Sequence, residues 1–378
     1  MAGSAAASFG LCVLAILALR PIAVAIDLID RPGGRKTHHG EVPIVGGIAM
    51  FMGAVLGLGL VPLPAASALA FLAASALLVT VGLLDDRFDL SPWMRLPAQI
   101  VAAIVLMLGS GEMVVSLGDP FGSGEIQLSG YASYVFTVII AIAAINSFNM
   151  LDGMDGLAGA MAVIALAALA YIAGDGALPV AGAVSWVFIG VVAAFLVFNL
   201  PARFNRGMRC FMGDAGSTLL GFAIAWLCVT VSQGEHRAVS PVTMLWIVAV
   251  PLYELVWTTA RRLLRGVSPF LADSDHFHHL LLKAGFGVRA AFALFVALAA
   301  LLATVGILAD RIGMAEWLSF TLLILGGAAV IRLMYRAEIL WALVPLYLRR
   351  VPPLDSPRKT RDTGPAATTE TVGVERRG

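Results

Sequence analysis

Long apolar segments alternate with short polar ones along almost the whole chain. About eleven stretches of roughly twenty residues hold few or no charges, and this length crosses the hydrocarbon core of a bilayer. Backbone buried in lipid must satisfy its own hydrogen bonds, so such spans are helices. The sequence predicts an all-α, polytopic integral membrane protein with spans near residues 5–26, 44–62, 66–84, 96–110, 131–149, 157–173, 179–199, 215–232, 241–259, 290–309 and 315–335.

Composition supports this class and excludes others. The 378 residues are 60% hydrophobic and 13% charged, whereas a soluble domain is about 45–50% apolar and about 25% charged. The net charge of +1 and the lack of a basic–aromatic patch give no reason to expect nucleic acid as a partner. The cysteines at 12, 210 and 228 lack metal-binding spacing and are expected to be small packing residues.

The distribution of lysine and arginine predicts the orientation in the membrane. These residues concentrate in the loops after the odd-numbered spans, and only Arg237 and Arg311 fall on the opposite side. Cytoplasmic loops carry the excess of positive charge, so the N-terminus is expected outside and the C-terminus in the cytoplasm. Residues 1–350 are predicted to form a single transmembrane domain. Residues 351–378, rich in Pro, Thr and Arg, are predicted to be a disordered cytoplasmic tail.

An acidic turn, NSFNMLDGMDGLAG at residues 146–159, separates two predicted spans. Asn149, Asp152 and Asp155 recur at every third position, so on a helical turn they share one face. Neighbouring carboxylates repel one another unless a cation or a proton lies between them. The turn is therefore a candidate cation site, although a helix-capping loop with solvated acids explains these residues equally well.

Two further acidic motifs fall on the same predicted face of the membrane, which is the cytoplasmic one. Asp85 and Asp86, in LLDDRFD, end the third span, and Asp214, in FMGDAGS, begins the eighth. Adjacent helical residues point about 100° apart, so one of the two aspartates can contact a metal while the other contacts a substrate proton or a lysine. Asp214 is a candidate metal ligand and equally a candidate helix N-cap.

Hard oxygen ligands favour Mg²⁺ or Mn²⁺ over zinc. Magnesium takes only one or two carboxylates and completes its shell with water and phosphate oxygens, which indicates a phosphate-bearing substrate. A histidine-rich loop fits the same substrate, because imidazole and guanidinium groups bind phosphates and sugars, and its spacing does not suit zinc. The candidate substrate-binding residues are His276, His278 and His279 of HFHH, together with Arg265 and Lys36.

An acidic metal site, a basic loop and a membrane-embedded body together suit a transfer from a water-soluble phosphorylated donor to a lipid phosphate. A cation- or proton-coupled transporter is an alternative, but it would place ionisable residues near mid-span rather than at helix ends. An intramembrane metalloprotease would need a zinc triad that the sequence does not supply.

Four motifs in order, LLDDRFDLSP, AAINSFNMLDGMDGLAG, FMGDAGSTLLGF and HFHH, resemble the polyprenyl-phosphate N-acetylhexosamine-1-phosphate transferase superfamily. RKTHHGEVPIVGG near residue 40 agrees, and the similarity runs from about residue 25 to 310. The resemblance implies that a lipid phosphate oxygen attacks the phosphorus bearing the sugar, releasing UMP. It implies UDP-N-acetylglucosamine as donor, undecaprenyl phosphate as acceptor, Mg²⁺ or Mn²⁺, the bacterial inner membrane, and the first step of O-antigen or related cell-surface glycolipid synthesis.

The resemblance also implies roles for individual residues. Asp85 and Asp86 match the motif assigned to the metal and to activation of the lipid phosphate. Asp214 matches a metal ligand, or a nucleophile in a two-step scheme. The remaining matches are the catalytic or metal-contacting Asn149, Asp152 and Asp155, and the donor-binding Arg265, His276, His278 and His279.

Some positions depart from the family pattern. Glu254 stands where the family usually has Asp, and Ala272-Asp273-Ser274 replaces Pro-Asp-Arg, which removes one arginine expected near the donor. Transfer from another UDP-N-acetylhexosamine is therefore an alternative. Asp89 stands where the relative that transfers phospho-muramoyl-pentapeptide usually has Lys, and this favours the N-acetylglucosamine branch. The sequence leaves a homodimer open.

Overall fold

The computed structural model describes residues 2–31, 41–174, 178–201, 205, 207–235, 237–268 and 276–336. Lys36 and the predicted tail at 351–378 lie outside the described residues. The strands of the described part, β1 (Ile29–Asp30) and β2 (Val42–Pro43), pair antiparallel with Ile29 opposite Pro43. The helices are α1 (Ala2–Ala25), α2 (Gly46–Gly59), α3 (Ala65–Phe88), α4 (Pro92–Ser110), α5 (Tyr131–Leu151), α6 (Leu157–Ala173), α7 (Pro179–Asn199), α8 (Gly213–Ser232), α9 (Pro241–Ile247), α10 (Ala249–Leu264), α11 (Phe277–Lys283), α12 (Val288–Arg311) and α13 (Glu316–Tyr335).

The prediction of an all-α, polytopic membrane protein is confirmed. Each of the eleven predicted segments contains a helix, and eight of the described helices are long and apolar enough to cross a bilayer by themselves. The segments near 44–62 and 157–173 form shorter helices, α2 with 14 residues and α6 with 17. Hydropathy therefore located both helices, and it gave the bounds of α6 correctly but overestimated the length of α2.

The prediction that the ninth span is one continuous helix was wrong. It consists of α9 and α10, whose axes differ by 82° across Val248. Pro251 lies at the third position of α10, where no helical N–H is needed, but its ring would clash with the carbonyl of Ile247 in an unbroken helix. A hydropathy profile does not register this clash, because proline interrupts the backbone without making the segment polar.

Helix α8 forms the centre of the bundle. It packs against α2, α3, α5 and α6, and almost all of it is buried. Phe71 of α3 stacks on Phe222 and Trp226 of α8, with ring centroids 5.7 and 4.6 Å apart. A helix that is apolar on every side is stable only inside such a core. The N-terminal end of α8, which carries Asp214, is therefore held by packing.

A close contact between α3 and α8 brings their acidic ends together. A Cβ at Gly82 would overlap the backbone of Ala215, so only glycine permits the two helices to approach this closely. Asp85 and Asp86 lie about one turn further along α3. The glycine therefore sets the distance between these aspartates and the start of α8.

Candidate active site

Asp86 of α3 caps the N-terminus of α8. Its Oδ1 accepts the backbone N–H of Asp214 at 2.8 Å, and its Oδ2 accepts that of Ala215 at 3.4 Å. The free N–H groups and the helix dipole both stabilise a carboxylate at this position. The alternative that Asp214 itself is the N-cap was wrong, because Met212 is the N-cap residue and Asp214 lies within the first turn.

Arg95, in the first turn of α4, joins two of the predicted acids. Its Nη1 lies 2.6 Å from Asp85 Oδ2 and 2.8 Å from Asp214 Oδ2. The Asp85 side chain is only 4% exposed, so this guanidinium is its main source of neutralisation among the described residues. Arg95 lies outside the motifs that predicted the site. A cation at the positive end of an apolar helix is unfavourable by itself, and that signal could have identified it.

The acidic turn after α5 spreads its polar groups around the site. Helix α5 ends at Leu151, and the backbone N–H of Asp152 donates to the carbonyl of Asn149 at 3.2 Å, so only the first part of the turn is near-helical. Asn149 Nδ2 donates to Asp214 Oδ1 at 2.6 Å and to Ser217 Oγ at 3.1 Å. Asp155 instead pairs with Arg209, a second cation that the sequence analysis did not assign.

Asp152 is the unpaired carboxylate of the cluster. No residue of the described part forms a hydrogen bond or an ion pair with its side chain. Burial raises the pKa of Asp152 well above its usual value, and the nearby charges of Asp214, Asp86 and Asp155 raise it further. Within this part of the chain, the unfavourable charge of Asp152 is available to a cation or a proton.

The short helix α11 places the histidine motif against this turn. His278 is 1% exposed, and neither ring nitrogen has a hydrogen-bond partner among the residues that the structure describes. A Cβ at Gly153 would lie 2.7 Å from His278 Cε1, so the ring contacts the residue next to Asp152. Burial, together with the charges of His279 and His276, lowers the pKa of His278 to about 3.

The other two histidines lie beside this ring. The rings of His276 and His278 are parallel, with their centroids 5.8 Å apart, and the ring centroids of His278 and His279 are 4.2 Å apart. Arg265 follows the last residue of α10 and is exposed. The structure thus brings the histidines to the acidic turn, and it does not describe Lys36.

The arrangement of the acidic side chains bears on metal binding. Within the described ranges, no group of three or more His, Cys, Asp or Glu side chains is arranged to hold an ion. Arg95 contacts an oxygen of Asp85 and one of Asp214, so these two carboxylates are arranged around the guanidinium and not around an ion. The carboxylates nevertheless fit a hard divalent cation. Among the described residues, two guanidinium groups, Arg95 and Arg209, pair with three of them, and Asp152 has no partner.

Two pockets lie one after the other along α4, α5 and α8, and they define a candidate groove that begins at the acids. The pocket beside the acids is lined by Arg95, Asn149 and Asp214, and the pocket further along the same helices has a mostly apolar lining. Asn146 Nδ2 donates to Gln99 Oε1 at 2.9 Å in the lining of the pocket beside the acids. The apolar lining includes Ala103, Leu106, Ile140, Ala141, Phe222 and Trp226.

These features define a class of protein: a membrane-embedded enzyme whose acidic and histidine-rich site lies at one end of a helix bundle, with an apolar pocket further along the same helices. Comparison with known proteins defines the class more narrowly. Residues 68–232 match the glycosyl transferase family 4 model.

Curated relatives carry one name, undecaprenyl-phosphate alpha-N-acetylglucosaminyl 1-phosphate transferase. The protein from Escherichia coli (strain K12) is 40% identical over 311 residues, which are 81% of this chain and 83% of the relative. Those from Yersinia pestis and Pasteurella multocida (strain Pm70) are 39% and 40% identical, over 81% of this chain and 84% and 86% of the relatives. The chain belongs to glycosyl transferase family 4, and the resemblance inferred from its motifs is confirmed.

Proposed function

We propose that the protein transfers N-acetylglucosamine-1-phosphate from UDP-N-acetylglucosamine to undecaprenyl phosphate, yielding undecaprenyl-diphospho-N-acetylglucosamine and UMP. The relatives' shared name supports both the reaction and the acceptor. The observation that carries the proposal is the convergence of Asp86, Asp152, Asp214 and His278, from four separate segments, at one end of the bundle.

In the reaction, an oxygen of the lipid phosphate forms a bond to the phosphorus that carries the sugar. The bond from that phosphorus to the oxygen bridging the two donor phosphates breaks, and UMP leaves with the bridging oxygen. Arg95 and Asn149 line the pocket beside the acids and would hold the phosphate oxygens.

A divalent cation, Mg²⁺ or Mn²⁺, belongs to this proposal. Asp86, Asp152 and Asp214 are the carboxylates that would hold it, with Asn149 as a neutral oxygen donor. Asp85 would remain with Arg95, which matches its short contact and its burial. When bound, the cation would neutralise charge on the donor diphosphate and on the departing UMP.

The acceptor's hydrocarbon chain would occupy the groove along α4, α5 and α8. The pocket beside the acids suits the phosphate, and the apolar pocket next to it suits the isoprene units that follow. Glu112 closes the far end of this lining, where its carboxylate accepts hydrogen bonds from Trp226 Nε1 at 2.6 Å and Thr230 Oγ1 at 2.5 Å. The candidate groove would then have polar residues at both ends and an apolar lining between them.

We further propose that the site faces the cytoplasm and that the membrane is the bacterial inner membrane. Arg87, Arg95 and Arg209 lie at the same end of the bundle as the acids, whereas Arg237 pairs with Glu125 at the other end. Cytoplasmic ends of spans carry the excess of positive charge, which supports a location of the start of α1 outside. Labelling of single cysteines from each side of the membrane tests this orientation, and native mass spectrometry tests for a homodimer.

The experiment for the proposed reaction uses the full-length protein in detergent with undecaprenyl phosphate, Mg²⁺ and UDP-N-acetylglucosamine. We expect UMP release, a lipid product whose mass has increased by one N-acetylglucosamine phosphate, and loss of both on addition of EDTA. UDP-N-acetylgalactosamine in parallel tests the alternative donor. No release of UMP from either donor, with active lipid and metal present, would reject the transferase proposal.

A further inference from the structure

Glu254 of α10 is a wholly buried carboxylate to which the preceding proposal gives no role. Its exposed fraction is 0%, and its oxygens accept hydrogen bonds from the start of α11 and from α10 itself. The backbone N–H of Phe277 donates to Oε2 at 3.1 Å, and His276 Nδ1 lies 2.8 Å from Oε1. Thr258 Oγ1, one turn along α10, donates to Oε1 at 3.2 Å. A buried charge with several donors is held in a fixed position.

The first consequence concerns the position of α11. His276 is the N-cap residue of this helix, but its side chain makes no capping hydrogen bond, and Glu254 supplies the acceptor from another helix. A helix of seven residues is not stable by itself and is placed by its tertiary contacts. Glu254 therefore fixes where α11, and with it the His278 ring beside Gly153, lies on the acidic turn.

The second consequence concerns the His276 ring. With Glu254 ionised, its oxygens only accept hydrogen bonds, which assigns the imidazole proton that faces them to Nδ1. The carboxylate thereby sets both the tautomer and the orientation of the ring, as it does for histidines that are oriented by an acid in other sites. In the neutral ring, Nε2 then carries the lone pair.

We propose that Glu254 is a positioning residue for donor binding, acting through His276 and the start of α11. The inference rests on the proposed function, in which the histidine loop contacts the UDP-sugar. Glu254 touches no substrate in this proposal, so its effect belongs to the donor and not to the lipid acceptor.

The test compares Glu254→Gln with the wild type in the UMP-release assay. The amide oxygen can still accept from Phe277, but the amide nitrogen then faces His276 Nδ1 and requires the opposite tautomer. We expect the KM for UDP-N-acetylglucosamine to rise about tenfold, with the KM for undecaprenyl phosphate and the melting temperature unchanged. An unchanged donor KM in the folded variant would overturn the inference.

Asp310→Asn is a matched control. Asp310 of α12 also caps a seven-residue helix from another element, since its Oδ1 accepts the N–H of Ser240 at 2.9 Å and Thr243 Oγ1 at 3.0 Å at the start of α9. This cap lies at the opposite end of the bundle. Asp310→Asn is expected to leave the donor KM unchanged, and an equal rise in both variants would show a general loss of order and contradict the inference.

Two further measurements keep the inference testable if Glu254→Gln folds poorly or if the protein proves inactive. His276→Asn retains an N–H near the Nδ1 position but lacks Nε2, and should raise the donor KM as Glu254→Gln does, with no further rise in the double variant. Additive effects would contradict action through His276. In ¹⁵N-histidine-labelled protein, NMR should find the His276 proton on Nδ1 whether or not the enzyme turns over, and a proton on Nε2 would overturn the inference.

Discussion

Asp86, near the end of α3, accepts the backbone N–H of Asp214, at the start of α8, across 2.8 Å. A capping hydrogen bond thus connects two acidic residues that are remote in the sequence. The contact gives Asp86 a structural role in addition to its proposed metal role, and the two roles can be separated by substitution.

Asp86→Asn keeps an oxygen that can accept the N–H of Asp214, whereas Asp86→Ala removes the cap. We expect the asparagine variant to melt near the wild-type temperature and the alanine variant to lose about 1 kcal/mol, the usual cost of a lost N-cap. Both should lose UMP release, because neither has the charge needed to hold a divalent cation. Thermal unfolding and turnover of the purified variants check both expectations. Wild-type turnover in Asp86→Asn would assign Asp86 to structure alone.

Asp152, unlike Asp86, is expected to lower the stability of the metal-free protein while being needed for activity. Its carboxylate is desolvated and lies near Asp214 and Asp86, so in metal-free protein it destabilises the fold. Asp152→Asn removes that repulsion and should raise the melting temperature in EDTA by a few degrees while abolishing UMP release. A variant that melts lower than the wild type would show that Asp152 is paired in the protein in solution.

Gly82 tests whether the approach of α3 to α8 assembles the acids. Gly82→Ala forces a methyl group onto the backbone of Ala215, and overpacking of this kind costs about 1–3 kcal/mol. We expect a lower melting temperature and at least a tenfold loss of kcat, because Asp86 is displaced from the α8 cap. Gly10→Ala is the control, since nothing lies within 4 Å of a Cβ at Gly10. Equal behaviour of the two variants would contradict this role.

The apolar pocket along α4, α5 and α8 is expected to bind the polyprenyl chain of the acceptor. Ala141 lines the pocket between α4, α5 and α8, and Ala141→Phe would fill much of it. We expect the KM for undecaprenyl phosphate to rise about tenfold, with little change for a short-chain polyprenyl phosphate that ends before the pocket. Ala143→Phe, on the same helix but outside the lining, is the matched control. The same loss with both acceptors would place the chain elsewhere.

Hydrophobic patterning predicted the helical segments and their acidic ends because both signals are local in the sequence. Asp85, Asp86, Asp152 and Asp214 could be recognised from runs of apolar residues interrupted by carboxylates. Arg209, the partner of Asp155, could not be recognised in this way, because the charges of its segment are equally explained by membrane orientation.

Other features depend on three-dimensional contacts that no local pattern contains. Asp86 caps α8 across 128 positions in the sequence, and Glu254 reaches α11 across 23. The break at Val248 also escaped the hydropathy reading, since the segment is apolar on both sides of it. The family pattern marked Glu254 as a departure, but its contact with His276 became visible only in the fold.

Manganese binding tests whether the acids from α3, α5 and α8 form one cation site. In electron paramagnetic resonance, the signal of free Mn²⁺ falls as the ion binds, so titration of the purified protein gives the number of sites and their affinity. We expect about one Mn²⁺ per chain in the wild type and in Asp310→Asn, with affinity at least tenfold weaker in both Asp152→Asn and Asp214→Asn. Wild-type affinity in Asp152→Asn and Asp214→Asn, or no binding by the wild type, would contradict a shared site.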